Sequence, residues 1–317
     1  MNRVIFVLCF LMIVSIWADD SANGQDADLD SQILEAGVLV EKEEGRKIME
    51  AFLKGYPSRI SRLEERHGDY AVLIGEEWYY YAKGKLLRED LLAEEGKYTA
   101  FSIYNYYLGP LRYKELSDEE KERIRDNSRE RDRNPPTRHP GFFNALWEAY
   151  DEKSAWDNMK SMLFLGHRIE VHWRLLEDFA SIEMELLEMA KTDKELADFI
   201  GDISSAAAYN YRRIAGTRSL SFHSYGIALD IVTRNPEKKP AYWYWIKSLE
   251  WYSIPAEDRY SPPQKFIDVF ENHGFVWGGK WMYFDAIHYE YRPEVLYLNG
   301  IFKDSEVLFE DATRTME

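Results

Sequence analysis

Two short stretches constrain this chain more than any others: SFHSYGIALD, from Ser221 to Asp230, and FDAIHYE, from Phe284 to Glu290. In the first, Gly226, Ala228 and Asp230 alternate with Ile227, Leu229 and Ile231. That period of two predicts a strand with one apolar face and one face of small residues ending in an acid. Gly226 suits a place where no side chain can intrude. In the second stretch, His288 and Glu290 alternate with their neighbours, as does Arg292 beyond them. All three are expected on one side of another strand, with Asp285 in the turn before it.

His223, Asp230 and His288 together offer two imidazoles and one carboxylate. This donor set suits Zn2+, and three protein ligands leave a fourth position for water. Bound zinc brings the pKa of its water toward ~7. Asp285, three residues before the last ligand, is the acid placed to take a proton. The residues therefore read as a zinc hydrolase. Glu290 shares a strand face with His288 and competes with Asp285 as base. Its better role is to orient a ligand imidazole. Ser221 either does the same or caps a turn.

The pattern SxHxxGxAxD followed by DxxH resembles the zinc peptidases of peptidoglycan, the D-alanyl-D-alanine carboxypeptidase family. That family also includes the dipeptidases of vancomycin resistance and L-alanyl-D-glutamate endopeptidases. YNYRRIAGTRSLSFHSYGIALDI (209–231) and HGFVWGGKWMYFDAIHYEYRPE (273–294) are similar to its endopeptidase-like branch, and the resemblance runs from about Gly166 to Pro293. It implies that His223, Asp230 and His288 bind zinc and that Asp285 is the general base. It also implies that Arg212 holds a substrate carboxylate or the developing oxyanion. An aspartate base is the endopeptidase choice, whereas the carboxypeptidases and dipeptidases usually carry glutamate. Ile287 departs from the proline that many phage enzymes have before the last ligand.

The implied function is cleavage of peptidoglycan stem peptides, with the L-Ala–D-Glu bond favoured. The alternatives are a D-alanyl-D-alanine carboxypeptidase and a non-catalytic zinc-binding envelope protein. The expected fold is α+β, a small antiparallel sheet carrying the zinc site with helices packed on it, plus a mixed N-terminal extension.

Composition bounds the remainder. Apolar residues make up 45% of 317, with 10 Trp and 22 Tyr, so a sizeable core can form. A net charge of −16 argues against nucleic acid as a partner. Arg3 followed by the apolar run Val4 to Trp17 and Ala18 reads as a signal peptide, 1–18, too short for a comfortable membrane span. No stable membrane span is expected after its cleavage, and the location implied is the periplasm or cell envelope. Cys9, the one cysteine, lies inside that run, so a processed chain has no disulfide.

Three regions follow: the signal peptide 1–18, an N-terminal region 19–140 of unknown role, and a zinc peptidase domain 141–317. Asp19 to Ser31 reads as a disordered lead. A helix is expected around Glu41 to Glu65, and a hairpin from Asp69 to Leu87. Ser117 and Glu120 form a capping box that opens a charged helix to about Arg131, read as a solvated face. Asn134-Pro135-Pro136 ends it. Gly166 to Lys191 reads as one long core-facing helix, with Ile169, Trp173, Leu176, Ala180, Glu183, Leu187 and Ala190 recurring at helical spacing. On that reading His172 is a packing residue. The rings from Tyr242 to Tyr252 are expected to cover the sheet rather than wall a cleft. Ser261 is expected to cap the helix that follows, with Pro262 at its first position.

Overall fold

The computed structural model describes residues 41–234, 238–247 and 250–303. The expected signal peptide and polar lead lie outside the described residues. The chain divides into two compact units, Met1–Lys42 and Glu43–Glu317, and the architecture below is that of the second. It is α+β, as the sequence predicts.

Helix α1 is described over residues 41–55. It is shorter than the predicted 41–65, because Gly55 and Pro57 close it and the chain turns into strand β1 (Ile60–Arg66). β1, β2 (Asp69–Ile74), β3 (Glu77–Tyr80) and β4 (Leu87–Arg88) form a four-stranded sheet in that order, paired antiparallel throughout. The predicted hairpin is its centre. Helix α2 (Asp118–Arg133) begins on the expected capping box: Ser117 Oγ accepts from the Glu120 N–H, and Glu120 accepts from the Ser117 N–H. Asn134 ends it.

Two short helices follow, α3 (Gly141–Trp147) and α4 (Glu152–Asp157). Then comes a hairpin of β5 (Met159–Phe164) and β6 (His167–His172). Here the structure corrects the sequence reading, since the front of the expected 166–191 helix is a strand. Leu165 and Gly166 both hold positive φ and form a tight turn. Beyond it, Ile169 and Val171 alternate inward at period two. The helix proper is α5 (Leu176–Ala190). It buries Phe179, Ile182 and Leu186, while Ala180 and Leu187 of the expected stripe are exposed.

Helix α6 (Lys194–Gly201) leads into β7 (Ile203–Ala207), and β8 (Ala228–Thr233) pairs with it. Helix α7 (Gln264–Asn272) is followed by β9 (Phe275–Trp277), β10 (His288–Tyr291) and α8 (Pro293–Leu298). Pro263, not Ser261, caps α7, because Ser261 spends its hydroxyl on the Pro262 carbonyl. The second sheet has the antiparallel order β7-β8-β10-β9. One apolar core joins Phe52 of α1, Val72 of β2, Phe142 of α3, Phe179 of α5, Phe270 of α7 and Tyr289 of β10. Tyr289 stacks within 4.4 Å of Phe270, which anchors the middle of β10 and leaves His288 and Glu290 on the other face.

Candidate metal centre

His223 lies in a 3-10 turn, Phe222–Tyr225, opened by Ser221. Ser221 Oγ accepts from the His223 N–H at 3.4 Å, so Ser221 positions the turn rather than the imidazole. Gly226 closes the turn at φ 65°, two residues before the strand, not inside it as its alternation predicted. A Cβ there would stand 2.4 Å from Met159 Sδ and 2.8 Å from the His172 nitrogen, so no larger residue fits. β8 then carries Asp230. In the antiparallel register His288 sits directly across from Asp230, and Glu290 across from Ala228. Facing residues in such a pair share one side of the sheet. The small Ala228 leaves room for the Glu290 carboxylate.

Three atoms converge. His288 Nδ1 is 2.9 Å from Asp230 Oδ1, and His223 Nε2 is 3.1 Å from that oxygen and 3.2 Å from His288 Nδ1. Ligand atoms around a tetrahedral zinc with bonds of about 2.0–2.1 Å stand roughly 3.3 Å apart, so the trio fits such an ion. The outer nitrogens fit it too. His223 Nδ1 faces the Ala208 carbonyl and His288 Nε2 faces Glu290 Oε2 at 3.2 Å. Each ring thus has an acceptor for its outer N–H, which leaves the inner nitrogen's lone pair for a cation.

The electrostatics separate the two acids near His288. Burial opposes ionisation of Glu290, but His288 and Arg292 outweigh it and hold its carboxyl below the usual range. Arg292 Nη1 donates to Glu290 at 3.0 Å, Arg292 Nε donates to Glu294, and Tyr56 Oη donates to Glu294 at 2.9 Å. Asp285 differs. Its backbone N–H is fixed to the Gly278 carbonyl at 3.0 Å. A Cβ on Gly278 would approach the Asp285 carbonyl to 2.6 Å, so that loop needs glycine. Asp285 Oδ1 is shielded from solvent with no hydrogen-bond partner. Burial pushes its carboxyl up to about 7, tempered by His288. A carboxylate poised near neutrality is suited to receive a proton.

Arg212 is exposed. Its backbone is fixed, with its N–H donating to Ser224 Oγ and its carbonyl accepting from the Ser221 N–H. Its charge reaches Asp285 and lowers that carboxyl. His172, read as packing, is fully buried between the Trp147 carbonyl and the Arg174 N–H.

A cleft of about 360 Å³ opens beside Asp285 and Glu290. Tyr242 and Trp243 line it, so part of the aromatic insert walls the cleft. Trp243, Trp251, Tyr252 and Phe284 also form an apolar cluster of their own. Sequence reading missed Arg131 and Arg138, which line the cleft from the other half of the chain. Arg131 lies in the last turn of α2, among charges read as a solvated face.

Two imidazoles and one carboxylate thus converge beside a cleft, next to Asp285, whose Oδ1 has no hydrogen-bond partner, and such a donor set suits a zinc ion. Comparison with known families agrees. Residues 215–291 match the family model described as D-alanyl-D-alanine carboxypeptidase. The match supports, at family level, a zinc peptidase acting on peptidoglycan. Residues 48–103 match a second family model, described as a domain of unknown function (DUF8518). No curated protein and no solved structure matches the chain.

Proposed function

We propose that this chain is a zinc-dependent peptidase that cuts peptidoglycan stem peptides between L-Ala and D-Glu. The convergence of His223 Nε2, Asp230 Oδ1 and His288 Nδ1, beside Asp285 with its Oδ1 free of any hydrogen bond, carries the reading. Those three residues hold the ion, and Glu290 and the Ala208 carbonyl orient the two rings. Zinc, when bound, supplies Lewis acidity that polarises a carbonyl and acidifies water. Asp285 receives the proton of the attacking water at its free Oδ1 and passes it to the leaving amine. Arg212, held by its backbone beside the ligand turn, meets a substrate carboxylate or the oxyanion. Residues 141–317 form the peptidase domain behind the extension 19–140. The signal segment expected at 1–18 and the peptidoglycan substrate both favour an envelope location. Among the described residues no helix is long and apolar enough to cross a membrane.

The choice of bond rests on the aspartate base, which the resemblance associates with the endopeptidase branch. The second reading, a D-alanyl-D-alanine carboxypeptidase, is favoured by the description of the matching family. Digestion of a defined pentapeptide stem, followed by mass analysis, decides between them. A fragment beginning with D-Glu is the expected product, and free D-alanine as sole early product moves the assignment to the carboxypeptidase. Elemental analysis should find about one zinc per chain. His223→Ala and His288→Ala should lose it, and unchanged zinc in both variants would sink the metal assignment.

A further inference from the structure

The cleft beside Asp285 is lined by four cations, and they are not equivalent. Lys280 is buried and answered by Glu271 at 2.5 Å. Arg292 is buried and answered by Glu290 and Glu294. Arg131 and Arg138 have no carboxylate within ion-pair reach among the described residues. Arg131 lies over two rings instead, 5.6 Å from the centre of Trp243 and 5.3 Å from that of Tyr283.

Arg138 is held in place without being neutralised. Its backbone N–H donates to Ser219 Oγ at 3.0 Å, and its Nη2 donates to Ser102 Oγ at 2.6 Å. Ser219 is itself fixed to the Pro136 carbonyl. Arg138 Nε is shielded from solvent with no acceptor. Burial, then the charge of Arg292, brings its guanidinium down to about 10. Half-burying two guanidinium groups without counter-ions is costly unless an anion completes the site. A guanidinium anchored at one end and unsatisfied at the other is preorganised for a carboxylate.

We infer that Arg138, assisted by Arg131, is a specificity-determining residue that binds a carboxylate of the substrate peptide in this cleft. Both arginines precede the matched segment 215–291, so the N-terminal half contributes to substrate choice. The site is separate from Arg212, which does not line the cleft. This inference rests on the peptidase reading for the identity of the ligand, and its chemistry is that of an acidic peptide. The carboxylate is either an internal one or the chain terminus.

The experiment uses the full zinc-loaded chain and three peptides: a stem-type peptide with all carboxylates free, one with the internal carboxylate amidated, and one with the terminus amidated. Calorimetric Kd and kcat/KM are measured in parallel. One amide should bind and turn over about 10- to 100-fold worse than the free peptide, since a charge-assisted hydrogen bond is lost. The affected amide names the carboxylate. Arg138→Gln keeps a donor for Ser102 and should erase that discrimination, with Arg138→Lys restoring part of it. Arg131→Gln should reduce it by a smaller factor. Equal weakening of all three peptides in Arg138→Gln would assign it a structural role and overturn the proposal. So would discrimination that persists in the variant, or three peptides bound equally by the unaltered chain. If none of the peptides is cut, the peptidase reading falls alone, because the binding ratios still decide the subsite.

Discussion

The charges around the cleft beside His288 fall into two groups, one paired and one without ion-pair partners among the described residues. In the paired group a buried chain runs from Glu290 through Arg292 and Glu294 to Tyr56. In the other group Asp285, Arg131 and Arg138 have no ion-pair partner among the described residues. The comparison teaches a division of labour. Paired buried charges set geometry, because moving any member exposes another to an apolar interior. Unpaired ones keep their capacity for a proton or a ligand, and the fold carries their cost. The two acids flanking His288 show this most directly, one below its ordinary range and the other raised to about 7.

The largest expected effect breaks the comparison at those acids. Asp285→Asn should keep its zinc and lose about 10²- to 10⁴-fold in turnover, because an amide cannot accept the proton. Glu290→Gln should act mainly through the metal, with zinc affinity falling about 10- to 100-fold. Turnover at saturating zinc, set beside zinc titration of each variant, separates the two. An active Asp285→Asn with a dead, fully loaded Glu290→Gln would reverse the roles.

A smaller effect is expected deeper in the paired side. Arg292→Ala leaves Glu290 and Glu294 buried without their cation. Breaking a buried pair from one side costs about 3–5 kcal/mol. Urea unfolding should show that loss, and zinc affinity should fall with it as Glu290 loses its anchor. If Arg292→Ala unfolds like the unaltered chain, the paired side does not hold the centre in place.

The front of the site was far more legible than its surroundings. Asp230 and His288 lie in stretches whose period-two alternation already predicts strands, whereas His223 and Asp285 lie in the turns before them and were marked by residue type and spacing alone. The His288–Glu290–Arg292 row reads the same way. The Asp230–His288 register needed the fold, but any antiparallel pairing of those strands with their polar faces aligned brings the ligands close. Arg131 and Arg138 carry no such local signal. They reach the cleft only because α2 and the loop after it pack against a segment some distance along the chain. Ala208 contributes a backbone carbonyl, which no side-chain pattern announces. The false helix over 166–175 arose because Ile169 and Trp173 fit a helical stripe by accident, while the Leu165–Gly166 turn was the stronger signal. The overlong α1 likewise ignored Gly55 and Pro57. Both misses favoured periodicity over turn chemistry.

His172 sharpens the comparison with the smallest expected effect. It is an imidazole of the same sheet-rich core as His288, but no carboxylate touches it. Burial, against the Trp147 carbonyl bond and with Arg174 nearby, lowers its pKa from an ordinary 6.5 to about 4. By contrast, Asp230 and Glu290 overcome burial and raise His288 to about 10. His172 is satisfied when neutral, with Nε2–H donating to Trp147 and Nδ1 accepting from the Arg174 N–H. Protonating Nδ1 would break the second bond and place a charge beside Arg174. Between pH 6.5 and 4 the unfolded chain therefore binds a proton at this residue that the folded chain refuses. Its contribution to stability is present above pH 6.5 and is lost as pH falls toward 4. The loss is at most about 3.5 kcal/mol, at about 1.4 kcal/mol per pH unit. Other groups titrate in the same window, so the measurement is a difference. Unfolding free energies of the unaltered chain and His172→Gln are compared at pH 7 and 4.5 at equal zinc. The gap between them should shrink at the lower pH. A gap independent of pH would mean that His172 titrates alike in the folded and unfolded chain, and that burial without a carboxylate partner does not keep this imidazole neutral.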